Sequence, residues 1–324
     1  MTPVTQIPPL VTIIGGSGFV GRYVVRALAK RGYRIRVVSR NPNTAHHLQP
    51  LGNVGQIHAV RGNLRNRASI DKAVEGAAWV INLVGILSES GAQTFDAVQA
   101  AGARMAAEAA RDAGARFIQM SAIGADANSS SDYGRTKAEG EAAAFETLPD
   151  AIVFRPSIVF GPEDGFFNRF AAMARLAPAL PMIGGGKTMF QPVYVGDVAE
   201  AFARAVDGEV AGGKVYELGG PEALSFRDCM KLMLKIVGRK RLFVTIPWKI
   251  AEIQGAILGR MPKPLLTRDQ VELLKTDNVV SPQATSEGRT LEGLGIRPQA
   301  MEAILPTYLW TYRAAGQFTR PQGM

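Results

Sequence analysis

VTIIGGSGFVG, residues 11–21, is the stretch that decides the fold. Its first four residues are a short apolar run rich in β-branched side chains, the composition of a strand buried on both faces. Three glycines follow, and residues 20–31 then read as a helix with Val24, Val25 and Leu28 on one face. A strand, a glycine-rich turn and an amphipathic helix in that order make a dinucleotide-binding unit. Gly15 permits the tight turn, Gly18 lets the backbone approach a pyrophosphate, and Gly21 lets the helix pack closely on the strand. The first turn of the helix then presents free N–H groups and the positive end of its dipole to the phosphates. Ser17, Phe19 and Val20 belong to the same turn and are candidate contacts.

Outward from this unit, apolar runs and helical patterns alternate. Residues 34–40 (RIRVVSR) read as a second strand, 69–75 as a short helix and 79–85 (WVINLVG) as the fourth strand, with a third before Gly62. An alanine-rich helix is expected over about 95–113, strands over 116–122 and 151–161, and a helix over about 133–145 between those two. Strands joined by single helices imply crossover connections and a parallel sheet covered on both faces. The expected class is therefore α/β: a Rossmann-type doubly wound parallel sheet over residues 1–160 and a smaller C-terminal lobe over 161–324. Within the lobe, about 187–220 should return to the Rossmann domain, with Asp197 capping a helix that begins at Val198. Helical segments are also expected around 227–237 and 247–258.

The 37 Lys and Arg outnumber 28 Asp and Glu, for a formal charge of +9, which favours an anionic partner. The basic residues are scattered, without an aromatic-basic cluster or a Cys/His finger, so nucleic acid is not expected. The single cysteine, Cys229, excludes an intrachain disulfide and suits a reducing compartment. No apolar run approaches the roughly 20 residues of a membrane span, and the proline-bearing first ten residues lack the pattern of a secretory signal. His46, His47 and His58 lack metal-ligand spacing, so no metal is expected. Gly184 to Thr188 (GGGKT) has the look of a triphosphate loop, but Pro181 stands where that motif needs its first glycine.

Cofactor choice is read at the end of the second strand. NAD-selective sites place a carboxylate there for the ribose hydroxyls; here the strand ends in Ser39-Arg40, and an arginine fork suits a 2′-phosphate. NADP(H), as NADPH, is therefore favoured over NAD. Asn63 and Leu64 follow the third strand within reach of an adenine, and Val84 and Gly85 close the fourth strand beneath the cofactor. Tyr133 and Lys137 are spaced i, i+4, which puts both side chains on one helix face. There a lysine ammonium can lower the tyrosine pKa and also bond the nicotinamide ribose.

With these residues assembled, the chain resembles the short-chain dehydrogenase/reductase superfamily in its extended or atypical branch. The resemblance rests on GGSGFVG, the Tyr133/Lys137 pair and residues 155–162 (RPSIVFGP). It implies that Tyr133 is the general acid/base, that Lys137 supports it, that a Ser or Thr orients the substrate, and that Pro156 and Ile158 lie on a strand passing the nicotinamide. The hydroxyl position departs from the pattern: the fifth strand ends Gln119-Met120-Ser121-Ala122, so either Ser121 serves or Ala122 stands in the catalytic place and the triad is vestigial. The serines at 129–131 read as a flexible loop.

Residues 154–168, 191–199 and above all 266–280 (LTRDQVELLKTDNVV) narrow the resemblance. They are similar to the nucleotide-binding accessory subunit of respiratory complex I (NADH:ubiquinone oxidoreductase) and its alphaproteobacterial relatives. That implies a structural NADPH held by Gly15, Gly18, Phe19, Val20, Arg40, Leu64, Tyr133 and Lys137, and partners among the other complex I subunits of the peripheral arm, near the quinone site. It also implies a peripheral place on the cytoplasmic face of a bacterial inner membrane. A helix at 247–264, with Ile250, Ile253 and Ile257 at helical spacing and Trp248, Lys249, Arg260 and Lys263 nearby, suits an interface within about 245–280, including an anionic lipid surface. The alternative is an NADP-dependent reductase or nucleotide-sugar epimerase working through Tyr133 and Lys137.

Overall fold

The computed structural model describes residues 7–261, 264 and 266–314. The chain runs β1 (Leu10–Ile14), α1 (Phe19–Lys30), β2 (Arg34–Ser39), β3 (Ile57–Arg61), α2 (Arg67–Val74), β4 (Trp79–Asn82), α3 (Ala101–Asp112), β5 (Arg116–Met120), α4 (Asp132–Thr147) and β6 (Ile152–Pro156). It continues through β7 (Val159–Phe160), α5 (Phe167–Leu176), β8 (Ala179–Ile183), β9 (Met189–Phe190), β10 (Val193–Tyr194), α6 (Val195–Val206) and β11 (Lys214–Leu218). Then come β12 (Leu224–Ser225), α7 (Phe226–Ile236), β13 (Leu242–Ile246), α8 (Trp248–Leu258) and α9 (Arg268–Leu273), followed by short helical turns.

Seven strands form one sheet in the order β11-β6-β5-β4-β1-β2-β3. From β1 the chain moves outward to β2 and β3, then crosses to β4 on the other side of β1, so the order reverses between β1 and β4. Ligands of doubly wound sheets bind at the carboxyl ends of the strands at such a reversal. The expected Rossmann-type α/β fold is what forms.

Two compact units share the chain, each discontinuous in sequence. The first comprises residues 1–121, 136–154 and 199–216. Its strands are near-continuous apolar runs because helices cover both faces: Val11, Ile13, Ile35, Val37, Val80, Ile81, Phe117 and Ile118 are all sealed from water. On α1 the buried stripe is Gly21, Val24, Val25, Leu28 and Ala29. On α3 it is almost all alanine (Ala103, Ala106, Ala107, Ala110), which lets that helix lie close to the sheet. A five-residue π-turn, Asp96–Ala100, precedes it.

The second unit comprises residues 122–135, 155–198 and 217–324. Its core joins Phe160, Phe167, Leu180 and Met182 with Phe226, Met230 and Met233 of α7 and with Leu305 and Leu309. Phe166 packs edge-on against Phe167 at 5.0 Å and Phe170 at 5.5 Å, so aromatic pairs supply much of the contact area.

Two local expectations change. Residues 151–161 are two strands, β6 and β7, because Ser157 between them turns its N–H to the Leu218 carbonyl and its hydroxyl to Asn278. Helix α6 begins at Val195, directly after β10, so Asp197 sits inside its first turn, where its carboxylate accepts from the Gln299 N–H at 2.7 Å.

Candidate functional site

Backbone geometry defines the glycine-rich turn. Gly15 has φ +85°, a left-handed conformation open to glycine. Its N–H donates to the Val38 carbonyl at 3.2 Å, and its own carbonyl accepts from the Gly18 N–H at 3.1 Å. A Cβ on Gly21 would lie 2.6 Å from the Gly15 carbonyl oxygen and from the Gly16 backbone, so no side chain fits where α1 meets the turn. Gly18 occupies the N-cap of α1, so no side chain caps the first N–H groups of the helix. Ser17, Phe19 and Val20 are half-buried beside them.

Across the reversal point, β4 ends in a buried amide pair: Asn82 Nδ2 donates to Gln119 Oε1 at 2.9 Å, and Asn82 Oδ1 accepts from the Val84 N–H at 3.2 Å. That fixes the backbone at Val84 and Gly85. A Cβ on Gly15 would press on Val84 at 3.0 Å, and one on Gly85 would lie 3.2 Å from Lys137 Nζ. The Lys137 ammonium also donates to the Met120 carbonyl at 3.3 Å. Burial pulls its pKa down to about 8, opposed by the nearby Glu141 carboxylate. Within the first unit, then, the glycine turn, Val84, Gly85 and Lys137 surround one region.

Ser121 follows Met120 directly. Its N–H donates to the Phe154 carbonyl, but its hydroxyl is buried with no partner. Gln99, on the π-turn, has the same character: Nε2 donates to the Ile86 carbonyl at 3.3 Å while the buried Oε1 has no partner. Sequence reasoning missed Gln99; a lone amide on an otherwise alanine-rich buried face was its only signal. Arg40 is exposed at the end of β2, with Nη1 donating to Gln93 Oε1 at 2.6 Å. Asn63 uses its side-chain oxygen to cap the Arg65 N–H at 3.1 Å, and Leu64 is buried against Gly102.

Tyr133, Pro156 and Ile158 fall in the second unit. Tyr133 stands one turn before Lys137 on α4, and its immediate surroundings come from the 267–278 segment. Thr267 and Gln270 form a reciprocal capping box at the start of α9. Asp269 then accepts from the Ser131 hydroxyl at 3.0 Å and the Asp132 N–H at 2.7 Å, so α9 staples the first turn of α4. Ser130 donates to Glu272 at 2.8 Å. Of the serines at 129–131, expected as a flexible loop, Ser130 and Ser131 are thus tied to this segment by their hydroxyls, and the Ser129 hydroxyl accepts from the Ser131 N–H at 3.2 Å. Burial, with the Asp269 carboxylate second, pushes the Tyr133 phenol up to about 12. At the far end of the segment, Asn278 donates to the Ile123 carbonyl at 2.8 Å and accepts from the Ser157 hydroxyl at 2.7 Å. The Pro156 carbonyl accepts from the Ile123 N–H, while Ile158 is half-buried against the phenylalanine-rich core.

The model of the NAD dependent epimerase/dehydratase family matches residues 11–219, from the strand before the glycine turn to the last strand of the sheet. The chain belongs to that family. A nicotinamide nucleotide is accordingly the ligand of this chain. Among curated relatives, the alpha subcomplex subunit 9 of mitochondrial NADH dehydrogenase [ubiquinone] 1 from Arabidopsis thaliana is 33% identical over 318 residues, covering 94% of this chain and 78% of that protein. A ceramide reductase from Caulobacter vibrioides is 30% identical over 321 residues, covering 96% and 97% respectively. Among solved structures, a dTDP-glucose 4,6-dehydratase from Streptomyces venezuelae with NAD bound superposes with a TM-score of 0.71 at 19% identity, covering 94% of this chain and 97% of that one, a likeness of fold. Burial thus moves the two groups in opposite directions, the Tyr133 phenol up and the Lys137 ammonium down.

A cleft of about 740 Å³ opens separately in the second unit, lined by Gly184 to Lys187, Arg227, Thr245 and Trp248. Trp248 lies over Gly184, where a Cβ would meet the indole at 2.1 Å. On α8 beyond it, Ile250, Ile253 and Ile257 are 49%, 62% and 61% exposed. Lys263, named with this helix from the sequence, lies outside the described residues. No described helix is long and apolar enough to cross a membrane.

Proposed function

We propose that this chain is an accessory subunit of a respiratory NADH:quinone oxidoreductase of the complex I type, holding NADP(H) as a structural group. The observation that carries this is near-full-length likeness to complex I subunits: 33% identity to the plant protein and 34% to that of Rattus norvegicus, each over at least 90% of this chain. The departure at the hydroxyl position, where Ala122 follows Ser121, supports it. The cofactor contacts are the backbone of residues 15–20, Val84 and Gly85, together with Asn63, Leu64, Tyr133, Lys137, Pro156 and Ile158. Arg40 carries the preference for NADP(H), because its exposed fork replaces the carboxylate that an NAD site would use.

The exposed isoleucine ridge of α8, with Lys249 and Arg260 beside it, fits an anionic lipid surface at the foot of the complex, on the cytoplasmic face of a bacterial inner membrane. The test is affinity purification of the tagged chain from detergent-solubilised membranes, with the nucleotide identified on release. The expected result is recovery of the NADH:quinone oxidoreductase together with NADPH that survives gel filtration. Recovery of the chain without that complex would overturn the proposal.

A second reading is favoured by the likeness to the Caulobacter ceramide reductase over nearly its whole length. Under it the chain is a reductase in which Tyr133, Lys137 and Ser121 act on a substrate. Consumption of NADPH by the purified chain, lost in Tyr133→Phe with cofactor binding intact, would establish that reading.

A further inference from the structure

The carboxyl ends of β2 and β3 carry more positive charge than a single phosphate-selecting arginine requires. Arg40 follows β2, and Arg65 lies four residues beyond the end of β3. Both are exposed, and both reach the loop that leaves β4. Arg40 Nη1 donates to Gln93 Oε1 at 2.6 Å, and Arg65 Nη1 donates to the Ala92 carbonyl at 3.2 Å. Those acceptors belong to consecutive residues at the tip of the loop. The tip is itself closed: Ser90 and Gln93 exchange backbone hydrogen bonds at 3.1 and 3.0 Å, and Gly91 takes φ +55° to allow the reversal. Glu89, the one carboxylate of the loop, turns away to accept the Phe95 N–H at 2.7 Å.

The partners are what matter. Elsewhere in the same unit, clustered arginines are neutralised: Arg31 bridges Glu200 and Asp207, and Arg67 bridges Asp71, Glu108 and Asp112. Arg40 and Arg65 instead converge on a neutral amide and a neutral carbonyl, with no acid paired to either among the described residues. Each has committed one nitrogen to this backing and keeps Nε and Nη2 available to donate. Two guanidinium groups anchored to consecutive residues without a counter-charge repel one another. Planar forks fixed at one edge and open at the other are the arrangement that receives a phosphate bidentately.

We propose that Arg40 and Arg65 together clamp the ribose 2′-phosphate of NADP(H), with Ala92 and Gln93 as the backing that pre-orients them. This rests on the NADP(H) preference proposed above and adds to it a second charged contact and a positioning residue, Gln93.

The test titrates the full chain with NADPH and with NADH, following nucleotide fluorescence, for wild type, Arg65→Gln, Arg40→Gln and Gln93→Ala. Each arginine substitution is expected to weaken NADPH about 10- to 100-fold, as for loss of a charge-assisted hydrogen bond, and to leave NADH within about twofold. Gln93→Ala is expected to weaken NADPH by less than about tenfold and NADH not at all, because only the orientation of Arg40 is lost. If Arg65→Gln leaves NADPH affinity unchanged, or weakens both nucleotides equally, the clamp is overturned. The NADP(H) preference then still stands, provided Arg40→Gln removes it. If the wild-type chain binds NADH as tightly as NADPH, the preference and the clamp fall together.

Discussion

At residues 15–21 the working atoms belong to the backbone and the side chains are pared away; at 267–278 the working atoms are side chains and the backbone serves to carry them. The glycine turn needs Gly21 because a Cβ would strike the Gly15 carbonyl, and it exposes its N–H groups because nothing caps them. The 267–278 segment works through Asp269 on the first turn of α4 and Asn278 on Ile123 and Ser157, contacts that span more than a hundred residues of sequence. One region builds a place for a ligand. The other ties down the first turn of α4, where burial first and the Asp269 carboxylate second raise the Tyr133 phenol.

The sharpest way to break this comparison is at Gly21. Gly21→Val forces a side chain into backbone 2.6 Å away, where no rotamer relieves the clash. Loss of about 3 kcal/mol of stability is expected, as in the severe cases of overpacking, together with loss of detectable nucleotide binding. Urea unfolding and nucleotide fluorescence check both. Wild-type binding in this variant would mean that the turn is not where the cofactor sits. Next in size is Asn278→Ala, which strips a partner from the Ile123 carbonyl and the Ser157 hydroxyl, both partly buried. It should cost about 1–3 kcal/mol in urea unfolding and leave nucleotide affinity within a few-fold. If it abolished nucleotide binding as Gly21→Val does, the separation of the two regions would be wrong.

Lys137 provides a pH test inside the nucleotide unit. Its folded pKa of about 8 lies below the ordinary lysine value of 10.5, chiefly through burial. Between those values the unfolded chain holds more protons than the folded one, so the lysine's contribution to stability rises with pH across that window. Below about pH 8 the buried ammonium opposes folding. Lys137→Met should therefore look best relative to wild type at pH 7 and lose that advantage from pH 8 to 10, as read by urea midpoints of the nucleotide-free chain. A pH-independent difference would show that the ammonium is not desolvated. Asp269→Asn makes the corresponding test in the other region: ultraviolet titration should find the Tyr133 phenol lowered but still above its ordinary value of 10, because burial is the larger cause and the carboxylate the smaller.

The two regions also differ in how far the sequence reveals them. Strand, glycines and helix at 11–31 are local patterns, and with β2, β4 and β5 they carry the doubly wound sheet. Arg40, Gly85 and Lys137 follow because each lies at a fixed offset from such a pattern. Asp269 and Asn278 have no such offset. Their partners, Ser131, Ile123 and Ser157, lie far along the chain, and the stretch 266–280 stood out only by its resemblance to one group of relatives. Gln99 escaped for another reason: a helical period cannot announce a π-turn, which shifts the register by one residue. Asp197 misled because a carboxylate before an apolar helical run has the form of a cap, while its partner, the Gln299 N–H, comes from a distant segment.

The smallest expected effect separates a resting catalyst from a retired one. The Ser121 hydroxyl is buried without a partner, so it carries a desolvation cost and returns no hydrogen bond. Ser121→Ala removes the polar atom and leaves the Cβ in place. In a chain whose site is purely structural, the substitution should be neutral or stabilising by up to about 1 kcal/mol, with NADPH affinity unchanged. In a working reductase the same hydroxyl would be held in readiness for a substrate, and NADPH turnover would fall on its removal while stability still rose. A gain in stability is common to both cases, so turnover decides between them. If Ser121→Ala were instead destabilising, the hydroxyl would have a partner after all, and neither account of that residue would hold.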